Sequence, residues 1–575
     1  MPVVNVDPDE LRQLTGHPDK TEDELKSDLF SLGLEFEGKT DDGDFQLEFA
    51  PDRLDRLSIE GIARSLRYQY GDESGIYIPS VNDPEWTIEV EESVPDQRPY
   101  VTGAIVRGIE LDAKILDSVI QLQEKLHATM GRTRDKGAIG IHDLTMLRGE
   151  PLEGAEPREE NVEKSIIYRG IEPNGDVFVP LDSDQELTPK EVLTEHSTGQ
   201  EYADLVDEYD MYPAIYDDIG LFSFPPVING RRTEVTTDTR DLFIEMTGTD
   251  QWTIDKMCTI LCYALDARGG TIEEVTVRYP DRELIRPDLS TKEKRLSHER
   301  LTNMLGTELD PSTVIDLFER SGLDATYTSS DSIEYTAEIP PYRVDILHPV
   351  DLIDDVGRAY GFNTLVPQYP DVNTIGGRTE ASRLENAVRT QLVGLGFEDL
   401  LNFHLINEAE IFHRMNLSPD ANVFGANEPP SITEPYSEDY TIVRTWALPS
   451  IMMVLENNTH RSYPQDLAEI GLSAYVDESQ PTNVTERQTV AGVIARRDAS
   501  YEDIKGRLQT LAQNFGVSLS TPRTEHPSFI NGRCAHIQFN NEQAGVIGEI
   551  HPKVLAEHNI ETPVAAFEFR LSALE

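Results

Sequence analysis

The sequence predicts a multidomain α+β protein, and three observations carry this prediction. The chain has 575 residues, a length that suggests about three to five domains. Segments with helical apolar spacing alternate with short strand-like segments, and 38% of the residues are hydrophobic, so several cores can be buried. A stretch near residue 50 is repeated near residue 340, which indicates a duplicated small domain.

The repeat pairs Pro51–Leu57 with Pro341–Leu347, and Tyr70-Gly71 with Tyr360-Gly361, at a constant offset of 290 residues. Each copy reads as a helix, a short helix, an alternating strand and a final helix. The predicted strands are residues 45–49 and 333–339. We therefore expect two small, helix-rich, winged-helix-like α/β domains, at residues 1–75 and 275–365.

The second copy carries four aspartates with a distinctive spacing. Asp345 ends the strand segment, and a helix beginning at His348-Pro349 places Asp351, Asp354 and Asp355 at positions i, i+3 and i+4, on one face. A hard cation such as Mg²⁺ would relieve the repulsion among these carboxylates. Alternatively, in so acidic a chain, this face is simply solvated, and early acidic residues favour a helix N-terminus. In the first copy only one of these acids remains, at Asp55.

The net charge of −55, from 105 acidic and 50 basic residues, is spread along the whole chain. Such a protein repels itself unless salt screens the repulsion, so we expect adaptation to very high salt. The acid excess also disfavours a nucleic-acid partner, because phosphate binding normally uses basic surface. Three cysteines, the lack of a secretory signal and the lack of an apolar run of about 18–20 residues predict a cytoplasmic protein with no membrane partner.

The region at residues 90–270 is expected to be a central mixed α/β domain. Apolar spacing predicts an amphipathic helix over Ala113–Met130 with Ile120 on its apolar side, followed by a basic loop over Gly131–Gly137. A strand-like segment then ends at His142-Asp143. The alternatives for these two residues are a catalytic dyad and a structural strand-end pair, and we favour the structural pair because no nucleophile signature accompanies them.

Six long segments occur along the chain in an order typical of one known family. They lie at 340–363 (PPYRVDILHPVDLIDDVGRAYGFN), 443–467, 469–476, 526–537 (HPSFINGRCAHI), 548–555 (GEIHPKVL), and 212–250, which contains YPAIYDDIGLFSFPPVINGRRTEV and TRDLFIEMTGTD. These segments resemble the β subunit of phenylalanyl-tRNA synthetase, and residues 212–250 are similar to its archaeal and eukaryotic type. With the acid excess, the resemblance indicates a member from a halophilic archaeon.

The resemblance implies an α2β2 enzyme that joins L-phenylalanine to tRNA(Phe) using ATP and Mg²⁺. Aminoacylation and most ATP contacts are expected on the α subunit, so the expected partners are that subunit and tRNA(Phe). The family's Mg²⁺ site, shared with α, is matched by Asp345, Asp351, Asp354 and Asp355. Positive charge for tRNA must then be confined to patches such as Arg132–Lys136, Arg231-Arg232 and Arg496-Arg497.

Residues 381–575 resemble the class II synthetase fold, an antiparallel sheet flanked by helices. Class II enzymes clamp ATP with arginines, because guanidinium groups pair with phosphates in a bidentate way. Here the motif that should read Arg-x-Glu is Arg444-Thr-Trp446, and Gly545–Lys553 lacks the expected arginine. We therefore predict a pseudo-catalytic partner domain for α. Its predicted strands are 440–444, 466–470, 490–495, 535–539 and 565–569.

The domain at residues 90–270 is similar to the family's editing domain, which removes tyrosine wrongly attached to the tRNA. A pocket shaped for phenylalanine rejects an added hydroxyl only weakly, so a second site must sort on that hydroxyl. The candidate residues are Ser223, Asn229, Glu245 and Thr247. Glu245 and Thr247 alternate on a predicted strand and share a face. The alternative is that all four are turn and cap residues.

Three readings of the whole chain remain open at this point. The first is a ligase subunit that needs α for aminoacylation and edits mischarged tRNA. The second is a non-catalytic, Mg²⁺-stabilised assembly and tRNA-binding scaffold. The third, a free-standing hydrolase, requires activity without α. Deacylation of mischarged tRNA and co-purification with α separate these readings.

Overall fold

The computed structural model describes residues 2–49, 52–147, 164–329, 332–367, 369, 372 and 374–575. The chain divides into two compact units, Met1–Tyr369 and Pro370–Glu575. Pro51 of the first repeat and several positions of the predicted linker at 364–380 lie outside the described residues. Over the described part of the chain, no helix is long and apolar enough to cross a membrane.

The two repeats have the same order of elements. The first contains β1 (Val3–Val6), α1 (Pro8–Thr15), α2 (Glu22–Ser31), β2 (Glu35–Lys39), β3 (Phe45–Glu48) and α3 (Ile59–Tyr70). Each repeat forms a three-stranded sheet in which the last strand lies in the middle. In the first repeat Leu11, Leu29, Leu47 and Leu66 are completely buried, so helices α1, α2 and α3 close one core over this sheet.

The central region is built on a ten-stranded mixed sheet. Its elements are β4 (Val81–Val90), β5 (Tyr100–Arg107), α4 (Ala113–Ala128), β6 (Gly137–Asp143), β7 (Lys164–Ile171), α5 (Pro189–Glu195), α6 (Ser197–Glu201), β8 (Tyr212–Tyr216), β9 (Leu221–Phe224), β10 (Ile228–Asn229), β11 (Leu242–Gly248), α7 (Gln251–Asp266), β12 (Thr271–Arg278) and β13 (Glu283–Arg286). The strand order is β10-β9-β8-β7-β4-β12-β5-β11-β6, with β13 paired to β12. Helix α7 is apolar on nearly every side and packs against β5 and β11.

Two sequence-based expectations for this region need correction. The boundary at 275 falls inside β12, which pairs with β4 and β5, so residues 271–286 belong to the central sheet. The second repeat starts later, at Lys292. The predicted apolar side of α4 includes Ile120, but that side chain is 49% exposed. Ile120 instead lines the pocket described below.

The second repeat contains β14 (Lys292–Ser297), α8 (His298–Leu305), α9 (Pro311–Glu319), β15 (Asp324–Ser329), β16 (Ile333–Ile339) and α10 (Pro349–Tyr360). Helix α10 begins at the proline that the sequence indicates, because Pro fits the first helical turn. Leu352 and Val356 on α10 are completely buried against α8, α9 and the sheet.

The unit Pro370–Glu575 is a seven-stranded sheet with helices on both faces. Its elements are α11 (Glu380–Gly394), β17 (Glu398–Leu400), β18 (Leu405–Ile406), β19 (Ile442–Val443), α12 (Leu448–Asn457), β20 (Gln465–Val476), β21 (Val484–Ala495), α13 (Tyr501–Asn514), β22 (Leu519–Ser520), β23 (Phe529–Phe539), β24 (Glu542–Ile550), α14 (Pro552–Glu557) and β25 (Val564–Arg570). The order is β17-β20-β21-β25-β24-β23-β22, with every neighbouring pair antiparallel except β17 with β20.

Side chains along β21 point alternately to the two faces of this sheet, and each face packs against a separate hydrophobic core. Ala491 and Val493 face the core that contains α12, whereas Val490 and Ile494 face the core that contains α11 and α13. The predicted strand at 440–444 shrinks to the two residues of β19, which pair with β18 outside this sheet. The glycine-rich segment that begins at Gly545 continues strand β24 before the short helix α14.

Candidate functional site

A pocket of about 330 Å³ lies in the central region and contains three of the four predicted editing residues. Ser223, Asn229 and Glu245 line it, and Ile139 and Val227 supply apolar walls. This volume falls within the range of about 300–1,000 Å³ that is usual for small-molecule sites. An apolar pocket with a few convergent polar groups is the usual form of a binding site.

Local geometry explains how Ser223 and Asn229 meet. Strand β9 turns at Pro225-Pro226 into β10, and Asn229 pairs directly with Ser223 in the antiparallel register. Directly opposite residues point to the same side of a sheet, so both side chains reach the pocket.

Glu245 reaches the same pocket from the other end of the sheet. It lies on β11, next to the edge strand β6, whereas Ser223 lies on β9, next to the edge strand β10. The sheet therefore curves until its two ends come together. Gly140, which pairs with Glu245, makes room for the carboxylate, because a Cβ there would lie 2.2 Å from Glu245 Oε1.

The polar contacts in the pocket leave hydrogen-bonding capacity unused. The Ser223 hydroxyl lies 2.9 Å from Glu245 Oε1 and 3.2 Å from Asn229 Oδ1, and its single proton can serve only one of them. Glu245 Oε2 is buried and has no hydrogen-bond partner among the described residues. Glu245 is 2% exposed. An unpaired buried carboxylate oxygen is costly, so it indicates a ligand or water in the pocket.

His142 belongs to this group, although the sequence analysis interpreted it as a strand-end residue. Its Nδ1 shares a 2.8 Å hydrogen bond with Thr233 Oγ1, and its Nε2 lies 3.7 Å from Glu245 Oε1. Nε2 is buried without a hydrogen-bond partner in the described structure. The neighbouring Asp143 points elsewhere and accepts bonds from Thr145 and Thr239. The sequence signal for His142 was its place at the end of a predicted strand.

Thr247 does not line the pocket. Its hydroxyl accepts a 2.9 Å hydrogen bond from Nε of Arg98, which is itself buried. Arg98 also donates to the carbonyl oxygens of Arg134 and Asp135. Thr247 therefore helps to hold the basic loop through Arg98. The alternation of Glu245 and Thr247 along the strand predicts a shared face, but Thr247 does not reach the pocket.

The basic loop lies beside the pocket. Arg132, Thr133 and Arg134 all have positive φ angles, of 48°, 55° and 68°. Arg134 lines the pocket, donates to the carbonyl of Val227 at 2.9 Å and stacks over the ring of Tyr202 at 4.1 Å. Arg132 is exposed and forms no ion pair among the described residues.

Most arginines of the other predicted basic patches pair with acids. Arg231 pairs with Asp184, and Arg232 makes a bidentate contact with Asp217 at 2.7 and 3.0 Å. Arg496 pairs with Asp503 at 3.0 Å. These arginines offer little free positive charge to a phosphate.

The four aspartates of the second repeat point to different partners. Arg343 donates to Asp345 and to Asp355, each at 2.7 Å, and its side chain is almost completely buried. Asp351 accepts from the backbone N–H groups of Leu347 and His348 and so caps helix α10.

Asp354, by contrast, is 49% exposed and pairs with Arg358 at 2.7 Å. The expected common face of Asp351, Asp354 and Asp355 is therefore wrong in detail, because adjacent residues on a helix point about 100° apart. Asp355 points into the core while Asp354 points outward.

The donor set suits Mg²⁺ chemically but does not form a closed cage. Among the described residues, only Glu35, Glu37 and Glu48 bring three ligand atoms within 4.8 Å of one another, and the four aspartates do not. Asp351 and Asp354 each keep one carboxylate oxygen that accepts no hydrogen bond in the described structure. Mg²⁺ commonly uses one or two carboxylates with several waters, and these two residues fit that pattern.

In the second unit, Arg444 is locked in a buried ion pair. Its guanidinium contacts both Glu469 oxygens, at 2.7 and 3.2 Å, and both side chains are fully buried. Glu568 accepts from the N–H groups of Ala447 and Leu448 at the start of α12, both at 2.8 Å. Burial raises the pKa of Glu568. Arg444 therefore has no free face for a phosphate.

Comparison with known proteins places the chain among the aminoacyl-tRNA synthetases. Residues 365–571 match the family model described as the phenylalanyl tRNA synthetase beta chain CLM domain, and residues 294–362 match the tRNA synthetase B5 domain. A crystal structure of an N-terminal fragment of the phenylalanyl-tRNA synthetase beta subunit from Pyrococcus horikoshii is similar, with 32% identity and a TM-score of 0.57. That similarity covers 62% of this chain and 99% of the fragment.

Relatives that match over their full length show which synthetase family the chain belongs to. The phenylalanine–tRNA ligase beta subunits of Natronomonas pharaonis, Halobacterium salinarum and Halorubrum lacusprofundi are 68%, 65% and 64% identical, over 100% of both chains in each case. The chain belongs to the family of phenylalanine–tRNA ligase beta subunits and is thus a subunit of an aminoacylation enzyme.

Proposed function

We propose that this chain works with an α subunit in attaching L-phenylalanine to tRNA(Phe), and that its central region hydrolyses tyrosine wrongly attached to that tRNA. The pocket in which Ser223, Asn229 and Glu245 converge carries the editing part of this proposal. Its support is the combination of apolar walls with unused hydrogen-bonding atoms on Glu245 and His142.

The pocket chemistry suits discrimination by a hydroxyl. Apolar walls accept an aromatic ring, and the oxygens of Glu245 and Asn229 can accept a hydrogen bond that phenylalanine cannot donate. A site built to bond a hydroxyl rejects the analogue that lacks it far more strongly than an apolar pocket rejects an added hydroxyl. In the hydrolysis, a water attacks the ester carbonyl carbon, the bond to the ribose oxygen breaks, and tyrosine leaves the tRNA.

The second unit supports placing aminoacylation on the α subunit. Arg444 stands where a class II enzyme keeps an ATP-binding arginine, but Glu469 occupies its guanidinium completely. A buried, satisfied ion pair is a poor phosphate clamp, because binding ATP would require breaking it. We therefore propose that residues 381–575 act as a pseudo-catalytic partner domain for α, within an α2β2 assembly.

A magnesium site in the second repeat is part of the same proposal. Asp351 and Asp354 would hold the hydrated ion, with further ligands from α, while Asp345 and Asp355 support the site through Arg343. Bound there, Mg²⁺ would neutralise the acidic start of α10 at the subunit contact. The acid excess of the surface fits use at high salt, where repulsion is screened.

The decisive experiment uses the chain co-purified with its α subunit. Tyrosine release from mischarged tRNA(Phe) is measured for the wild type, for Glu245→Ala and for Glu172→Ala, an exposed glutamate of the same region. We expect Glu245→Ala alone to lose release while all three keep phenylalanine attachment. No release by the wild type would favour the Mg²⁺-stabilised scaffold, and release without α would favour a free-standing hydrolase.

A further inference from the structure

A small cavity between the two repeats has five arginines among its fourteen lining residues. The arginines are Arg53, Arg56, Arg64, Arg320 and Arg358, and among the described residues Asp355 is the only acid that lines it. The cavity volume is about 50 Å³. That space holds a few waters or one small ion but not a nucleotide. So dense a group of cations stands out in a chain with a net charge of −55.

Arg56 is buried without a carboxylate partner. It is 5% exposed, and it donates from Nε to Ser65 Oγ at 3.0 Å and from Nη1 to the Leu32 carbonyl at 2.8 Å. Its Nη2 donates to no acceptor among the described residues. Burial, and then the charge of nearby Arg53, lower the pKa of Arg56 to about 9. Arg56 is therefore a buried cation with no carboxylate of its own.

Arg64 is also poorly balanced. Its nearest carboxylate is Asp55, at 3.4 Å, and Asp55 already accepts from two nitrogens of Arg53 at 2.8 and 2.9 Å. Arg64 Nε is buried and has no hydrogen-bond partner in the described part of the chain. The guanidinium lies over the ring of Tyr342 at 4.3 Å, a weaker substitute for an anion.

Two guanidinium groups converge on one carbonyl oxygen. Arg358 Nη1 donates to the Leu32 carbonyl at 3.2 Å, beside the bond from Arg56. Gly33 permits this approach, because a Cβ there would lie 2.6 Å from Arg358 Nη1. Arg358 has its own partner in Asp354. Arg320 completes the wall with a single 3.4 Å bond to the carbonyl of Gln69.

The acceptors near the cavity do not balance these cations. The carboxylate of Asp355 accepts a hydrogen bond from Arg343, which also donates to Asp345, so Asp355 is not available as a counter-ion for the cavity arginines. The Gln69 side-chain oxygen is buried without a partner, and turning that amide by 180° would present its N–H₂ donors instead. A buried cation without a counter-ion is strongly unfavourable.

We propose that this cavity binds a small inorganic anion, a halide or an oxyanion of phosphate size, between the guanidinium groups of Arg56, Arg64 and Arg320. The free N–H donors of Arg56 and Arg64 are its ligands. The anion joins the first repeat to the second, because its ligands come from both. It is separate from the editing pocket, and it adjoins the proposed Mg²⁺ site through Arg358, which lines the cavity and pairs with Asp354.

Bromide substitution tests the site directly. Crystals of the full-length chain grown with potassium bromide in place of chloride should show an anomalous bromine peak within about 3.5 Å of Arg56 and Arg64 nitrogens, a usual contact distance for a soft anion. Tetrahedral density at the same place in phosphate, without bromide, would assign an oxyanion and also support the proposal. Water density alone under both conditions would overturn it.

A solution experiment checks that the anion binds these residues in the folded protein. The unfolding midpoint of the full-length chain is measured against chloride or phosphate concentration, at constant potassium, with glutamate replacing the anion. A bound anion raises the midpoint with concentration. We expect Arg56→Gln to reduce this rise by at least half, while Arg295→Gln, at a 71% exposed arginine, leaves it unchanged.

A second variant keeps the solution test decisive if Arg56→Gln does not fold. Arg320→Gln removes a less buried ligand and should reduce the same anion-dependent rise. Equal rises for the wild type, the cavity variant and Arg295→Gln would mean that the anion acts only on the surface, and that result would overturn the proposal.

Discussion

Glu245 and Ser223 are joined by a 2.9 Å hydrogen bond although their strands lie near opposite ends of the ten-stranded sheet. The bond therefore shows that the two ends of the sheet come together, and it joins two polar side chains of the pocket. A change that uncoupled these residues would open the pocket where the two ends of the sheet meet.

Replacing Glu245 by Gln should abolish most tyrosine release while keeping the shape of the pocket. The amide oxygen can still accept from Ser223, but an N–H₂ group then replaces the carboxylate oxygen that would accept the tyrosine hydroxyl. A hydrogen bond to a charged group contributes about 1.5–3 kcal/mol, so we expect a loss of about 10- to 100-fold. The measurement is single-turnover deacylation of mischarged tRNA, with Glu172→Gln as the matched control. An unchanged rate in Glu245→Gln would remove the carboxylate from the mechanism.

His142→Gln should slow the same reaction by about tenfold, a smaller loss than a direct proton carrier would give. His142 Nε2 lies 3.7 Å from Glu245 Oε1 and is buried without a hydrogen-bond partner among the described residues, so it supports the carboxylate through its position. The control is Asp143→Asn, on the same strand but bonded to Thr145 and Thr239. If Asp143→Asn slowed release equally, the His142 effect would belong to the strand as a whole.

Asp354→Asn and Asp355→Asn should differ in their effects on stability. Asp355 is buried against Arg343, so we expect a loss of about 1–3 kcal/mol in the free energy of unfolding. Asp354 pairs with Arg358 at the surface, and such pairs contribute about 0–1 kcal/mol. Urea unfolding of the second repeat within the full chain measures both. Metal analysis of the α-containing complex should show less Mg²⁺ in Asp354→Asn, and full occupancy would refute its role as a ligand.

The buried pair of Arg444 and Glu469 should behave as a unit. Removing one partner leaves an isolated buried charge, which costs about 3–5 kcal/mol. The double change Arg444→Met with Glu469→Leu should cost less than either single change, since no charge is stranded. Denaturant unfolding gives the three free energies. Phenylalanine attachment by the double variant with α should persist, and its loss would show that Arg444 takes part in catalysis.

His526 should make stability depend on pH. Burial lowers its pKa to about 4, and its Nε2–H donates to the Phe424 carbonyl at 2.9 Å. Because the folded pKa lies below the unfolded value of about 6.5, the contribution is complete above pH 6.5 and is lost as the pH falls toward 4. Between pH 7.5 and 5 this amounts to about 2 kcal/mol. His526→Gln should therefore lose less stability than the wild type over that interval, and equal losses would contradict the assignment.

Much of the candidate site was accessible from residue patterns. Ser223 and Asn229 flank a Pro-Pro turn, and such a turn between short strands makes them neighbours. The start of α10 at Pro349 followed from the proline rule, and the two repeats have one element order because similar sequences bury the same positions. Thr247 was misjudged because alternation gives the face of a strand but not which neighbour occupies that face.

The sequence by itself determined the family, the duplicated repeat and the acid excess, since these depend on residue identity and local spacing. Only the tertiary structure decided which charges meet. In the folded chain His142 lies beside Glu245, and Arg343 donates hydrogen bonds to Asp345 and Asp355. Five arginines line one cavity. The physical reason is that ion pairing and burial depend on distances between residues far apart in the chain. Sheet curvature and repeat packing set those distances, and no local pattern records them.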